Sequence, residues 1–182
     1  AEAAKILGIK VRDNLKMADG FFKNDEAHQL QIIQKLRQYQ PDLVLCNAVS
    51  DRHPDHGRAA QLVSEACFYS GLRRIATQLD GHAQKEWRPK AVYHYIQDRQ
   101  LKPDLVVDVT EFIEKKMEAI RAFKSQFGDP HSKEPESPIS VKNFLDVVKG
   151  KMSLFGRDAG YEYAEGFTVE RTPGIDDLFK LA

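Results

Sequence analysis

The chain has 182 residues, 42% of them hydrophobic and 30% charged, enough for a globular domain with its own core. Lys plus Arg and Asp plus Glu both number 27, a balance that argues against a nucleic-acid or anionic-membrane surface, since either needs a basic excess. No apolar run approaches the roughly 20 residues that span a bilayer and no signal-peptide pattern is present, while Cys46 and Cys67 read as buried small hydrophobes of a reducing cytoplasm rather than a disulfide framework.

In chain order, residues 1–7 read as the end of a helix stopped by Gly8. Residues 25–39 form a second helix, with Leu30, Ile33 and Leu36 on one stripe and Pro41 just past its end. Residues 41–47 read as a short apolar strand opened by a proline, and residues 57–69 as a helix whose Ala59, Leu62, Val63, Ala66 and Cys67 keep helical spacing. Strands follow at 91–96 and 105–109, then a helix over 111–123 built on Ile113, Met117 and Ile120. Residues 128–138 hold three prolines and read as a surface loop. A last helix spans 141–155, with Phe144, Val148 and Met152 inward. This alternation predicts one α/β domain over residues 1–182: a three-layer, Rossmann-like, mostly parallel sheet with helices on both faces.

Chemistry concentrates in Asp51-Arg52-His53-Pro54-Asp55-His56, two imidazoles three residues apart directly after the 41–47 strand. Open α/β sheets gather their ligands at the carboxyl ends of strands. Pro54 disfavours the helical region for His53, so His53 is expected to be extended and to point outward. Neutral imidazole is a first-row metal ligand, and Asp55 is placed to orient one ring by a hydrogen bond. The bare spacing is equally compatible with an exposed polar loop; the full hexapeptide at a strand-to-helix junction is more specific. Arg52 offers a fork for a carboxylate or phosphate, or a salt bridge to Asp51 or another acid.

The other histidines are read as bystanders: His28 and His131 in solvent, His82 in a loop, and His94, alternating with Tyr93 and Tyr95 in a strand, as a packed or edge histidine. No serine or cysteine sits in a nucleophile elbow, and no glycine-rich phosphate loop is present.

The stretch from Asp51 to Gly57 resembles the second signature of the LmbE-like (PIG-L-like) zinc-dependent N-acetylglucosaminyl deacetylases. Ala4-Lys5-Ile6-Leu7-Gly8-Ile9, the segment from Asn14-Leu15 to Asp19-Gly20, Lys124-Ser125-Gln126-Phe127 and the stretch from Gly160 to Phe167 extend the resemblance toward the bacillithiol-biosynthesis branch. It implies a cytoplasmic homo-oligomer that removes acetate from N-acetylglucosaminyl-malate, with His56 as a zinc ligand, His53 facing the reacting carbonyl, Asp55 favouring the protonated His53 ring, and Arg52 holding malate. The family's first motif, Ala-His-Pro-Asp-Asp, supplies two further zinc ligands and the general base. No His-Pro-Asp-Asp occurs in this sequence, so the chain is expected to be an N-terminally truncated piece, inactive by itself. The alternatives are a deacetylase of another glucosaminyl conjugate, such as a mycothiol or glycolipid precursor, and a binding module that kept the scaffold without the chemistry. The roles of Glu165 and of Ser125-Gln126-Phe127 are not legible at this level.

Overall fold

A computed structural model describes residues 2–124, 126, 138–141 and 143–181. His131, Ser125, Phe127 and all of the expected 128–138 loop except Pro138 lie outside the described residues. The helices are α1 (Glu2–Leu7), α2 (Glu26–Tyr39), α3 (Pro54–Ser70), α4 (Ile113–Arg121) and α5 (Phe144–Ala159). The strands are β1 (Leu43–Cys46), β2 (Gln78–Leu79), β3 (His82–Ala83), β4 (Ala91–Tyr95), β5 (Leu105–Asp108) and β6 (Ala164–Val169). No described helix is long and apolar enough to cross a membrane. The chain divides into two compact units, residues 15–105 with 167–182, and residues 1–14 with 106–166.

In the larger unit, β1 and β4 run parallel, in register from Leu43 opposite Ala91 to Cys46 opposite His94. The Phe167–Val169 end of β6 lies antiparallel on the other side of β4. The α/β class therefore holds, but the expected mostly parallel sheet is a mixed one. β5, α4 and α5 lie between β4 and β6 in the chain, so this pair is not a single strand–helix–strand unit, the connection that returns a strand parallel to the one before it. Helices α2 and α3 pack together, burying Ile33, Leu36, Ala66 and Cys67 against Val44 of β1 and Val92 of β4. Asp25 caps α2, accepting the His28 N–H at 3.1 Å, and also holds the His28 ring at 2.6 Å. His28 is thus paired and half-buried rather than simply solvent-facing. Arg37, 5% exposed, gives its guanidinium to Ser70 O, Ile75 O, Leu72 O and Thr77 Oγ1, tying α2 to the segment after α3.

In the smaller unit, α4 and α5 bury Ile113, Met117 and Met152, with Val148 and Tyr163 packed on them. α1 lies against α4 and ends at Gly8, whose φ is 69°. Gly160, at φ 79°, closes α5 in the left-handed conformation a glycine adopts without strain. β5 and the first half of β6 are neighbours here, joined by Val109 N–H to Tyr163 O at 3.0 Å. Glu165 forms an ion pair with Lys116 of α4.

Candidate active site

β1 and β4 are parallel, so their carboxyl ends share one edge of the sheet. From that edge rise two loops, 47–53 and 96–99. The Gln97 side-chain oxygen accepts from Asn47 Nδ2 at 3.1 Å and Ala48 N at 3.4 Å, holding the loops together. Below them His94, 3% exposed, packs its ring 3.2 Å from Cys46 Sγ, with Nδ1 2.8 Å from Asn47 O and Nε2 3.0 Å from Glu170.

α3 begins at Pro54, three residues earlier than the apolar periodicity indicates. His53 is its N-cap, extended as expected at φ −83° and ψ 128°. Its Nδ1 accepts the Asp55 N–H at 3.2 Å, satisfying one of the first-turn amides that have no partner inside the helix. An accepting Nδ1 carries no proton, so the proton of the neutral ring is on Nε2. His53 therefore presents a hydrogen-bond donor.

His56 is arranged the opposite way. Its Nδ1 lies 2.5 Å from Asp51 Oδ2. A carboxylate accepts, so Nδ1 carries the proton and Nε2 keeps a lone pair. The two rings stand 5.5 Å apart, centroid to centroid. One loop thus offers a donor and a lone pair side by side.

The Asp51 side chain is fully buried. Burial by itself pushes its pKa up, but hydrogen bonds from the Arg99 N–H, the His56 ring and the Arg52 and Asp98 N–H groups outweigh it and pull the value down to about 2. Its Oδ1 accepts from Arg99 N at 2.8 Å and Asp98 N at 3.1 Å. Asp51 therefore stays ionised as it orients His56, the arrangement that fixes tautomer and ring angle in histidine metal ligands.

Asp55, expected to hold a histidine ring with its carboxylate, does not do so. Its Oδ2 accepts the Gly20 N–H at 2.7 Å and its Oδ1 pairs with Arg58 at 2.5 Å. The first-turn geometry of α3 presents its backbone N–H, not its carboxylate, to His53. Arg58 also donates to Gly20 O at 3.2 Å and sits 5.2 Å over the Phe22 ring. This clamps the 18–22 turn to the start of α3. Arg52 pairs through Nε with Asp98 at 2.6 Å, both side chains being about 40% exposed.

Sequence reasoning placed Arg52, His53, Asp55 and His56 together, and the structure brings all four to one loop and helix start. It missed Asp51 as the orienting acid, Arg58 and Gly20 as the clamp, and Asp98 as the partner of Arg52. The Asp19-Gly20 pair, noted only as part of a resemblance, was the available pointer to the clamp. A catalytic zinc takes three protein ligands. Among the described residues no three His, Cys, Asp or Glu side chains converge to hold a metal ion. His56 fits the role of one ligand; the described residues alone do not fit a complete zinc centre.

The family model described as GlcNAc-PI de-N-acetylase (PIG-L) matches residues 1–67, a span that contains the whole histidine stretch. The chain is 28% identical, over 95% of its length, to a diacetylchitobiose deacetylase of Thermococcus kodakarensis, and spans 61% of that relative. A conserved protein of Thermus thermophilus superposes with a TM-score of 0.82 at 27% identity, covering 96% of this chain and 72% of that one. The N,N'-diacetylchitobiose deacetylase of Pyrococcus horikoshii, in complex with an inhibitor, gives 0.75 at 27% identity, covering 92% and 60%. GalB of Pseudomonas putida, a 4-carboxy-2-hydroxymuconate hydratase, gives 0.74 at 22% identity, covering 97% and 71%. At that identity it shares the fold alone, and its different chemistry means that the reaction must be argued from the site.

Proposed function

We propose that this chain, PIG-L-like (LmbE-like) over residues 1–67, carries part of the active site of an amide hydrolase that removes acetate from an N-acetylglucosaminyl conjugate. One observation carries the reading: His53 and His56 stand 5.5 Å apart, centroid to centroid, with complementary hydrogen-bonding faces. Amide hydrolysis needs a donor where negative charge develops on the carbonyl oxygen. His53 Nε2–H is that donor, held in place because Nδ1 is committed to the helix start. His56, with Asp51 behind it, is assigned one coordination position of a zinc ion. A bound zinc would supply a water acidic enough to attack at neutral pH. The other two ligands and the general base are assigned to the family's first motif, which this sequence does not contain, and what the chain's own side chains do ends with orienting, donating and binding.

The two diacetylchitobiose deacetylases named above support the acetyl-amino-sugar class. The finer proposal is N-acetylglucosaminyl-malate, in bacillithiol biosynthesis. Its support is Arg52, a half-exposed guanidinium one residue from His53, suited to a carboxylate. The experiment is acetate release from N-acetylglucosaminyl-malate, N,N'-diacetylchitobiose and N-acetylglucosamine by a zinc-supplemented protein that joins this chain to the family's first motif. Release from the malate conjugate above the other two is expected. Preference for chitobiose would replace the malate assignment, and no release from any of the three would remove the deacetylase reading.

A further inference from the structure

A cavity of about 580 Å³ opens in the larger unit beside the C-terminal half of α3 and the start of β4. The β1/β4 register puts that start at the opposite end of the strands from the histidine loop. Its volume falls within the few hundred to ~1,000 Å³ common for small-molecule sites. Phe68, Tyr69 and Tyr93 give it aromatic walls, and Arg88 and Arg171 bring two guanidiniums.

Both guanidiniums are seated. Arg88 lies 4.5 Å over the Phe68 ring and donates from Nη2 to Phe68 O at 2.9 Å. Arg171 donates from Nη2 to Lys90 O at 3.1 Å. Each spends one corner of its fork on a backbone carbonyl. Neither has a carboxylate partner among the described residues. Two carboxylates also line the cavity, but both are turned to other groups: Glu65 accepts from Gln29 and Gln61, and Glu170 faces His94, while Lys90 takes Asp42. Gly71 makes room for Arg88, because a Cβ there would come within 2.5 Å of Arg88 Nε and 2.9 Å of its Cβ. Two seated guanidiniums without a direct carboxylate partner in one aromatic-walled cavity match an anion better than a neutral sugar.

We propose that this cavity binds a phosphomonoester, with Arg88 and Arg171 on the phosphate oxygens and the aromatic wall against the organic part. At neutral pH a phosphomonoester carries about −1.5 to −2 charge, which two guanidiniums complement. The site is independent of the hydrolase reading.

Calorimetric titration with inorganic phosphate, glucose 6-phosphate and adenosine monophosphate tests it and separates bare phosphate from a sugar or nucleotide source. At least one should bind saturably with a dissociation constant near or below about 1 mM. Arg88→Met and Arg171→Met should each weaken binding about tenfold or more. Gly71→Ala should weaken it too, because it displaces Arg88 without removing its charge. His56→Ala should leave it unchanged. Arg171 is exposed in the segment after β6, so its variant keeps the core even if the Gly71 variant folds poorly. Absence of saturable binding by all three probes would overturn the proposal. So would binding that survives both arginine substitutions or is lost with His56→Ala.

Discussion

His56 Nδ1 and Asp51 Oδ2 lie 2.5 Å apart, and the same carboxylate accepts two backbone N–H groups from the loop after β4. The ring is therefore aimed by a group tied to both strands that end at the site. Asp51→Asn keeps the shape but replaces a pure acceptor with a group that also donates. The His56 tautomer is then no longer enforced, and zinc affinity or turnover should fall by about 10–100-fold. Zinc titration beside an acetate-release assay checks this; an unchanged affinity and rate would show that Asp51 serves only the loop.

In a protein that joins this chain to the family's first motif, His53 and His56 should separate by metal content. His53→Ala removes the donor and leaves the lone pair of His56, so bound zinc persists while turnover drops by about 100-fold or more. His56→Ala should lose both. Metal analysis of the two purified variants decides, and a full zinc complement in the His56 variant would end its assignment as a ligand.

Much of this was legible because it is local. Pro54 at the first helical position and the extended His53 before it follow from proline geometry, although histidine is not among the usual capping residues and the helix start was read three residues late. Long-range pairing was not legible. Nothing in the sequence distinguishes Asp51 from Asp55 as the acid that reaches a ring, since the choice depends on a bend fixed by Gln97, Asp98 and Arg99, almost 50 residues away. Asp80-Gly81 did carry a hairpin signal; both residues have positive φ, 52° and 80°, between β2 and β3. β6 was missed because its motif residues stood out as a family mark rather than as an alternating strand.

Asp55 should matter for order rather than for the ring. Asp55→Ala leaves the Gly20 N–H without its acceptor and Arg58 without its carboxylate, loosening the 18–22 turn. A loss of about 1–3 kcal/mol in unfolding free energy is expected, together with faster amide exchange at Gly20 and a smaller loss of turnover than His53→Ala. A stability unchanged from wild type would show that the clamp is dispensable.

The two cysteines give a pH test. Burial, with smaller contributions from neighbouring negative charges, pushes both thiols from an ordinary 9.0 up to about 12. A raised folded value means the stabilisation is complete below the unfolded pKa and is lost as pH climbs from 9 toward 12. Denaturant midpoints should therefore hold through pH 8 and fall above 9. At pH 8 a thiol reagent should label the folded protein slowly and the denatured protein fast. Rapid labelling of the native protein would contradict the burial of Cys46 and Cys67.

Arg52 tests the substrate. Its ion pair with Asp98 is about 40% exposed on each side, and such pairs contribute only ~0.2–1 kcal/mol. A substrate carboxylate can therefore displace Asp98 at small cost, and the fork then binds it bidentately. Arg52→Ala should raise KM for the malate conjugate by about tenfold or more, and change KM for a neutral N-acetylglucosaminide little. Arg52→Lys should restore only part of the difference, because an ammonium keeps the charge but not the planar fork. Equal losses on both substrates would assign Arg52 to holding the loop through Asp98, and the malate preference would need another source.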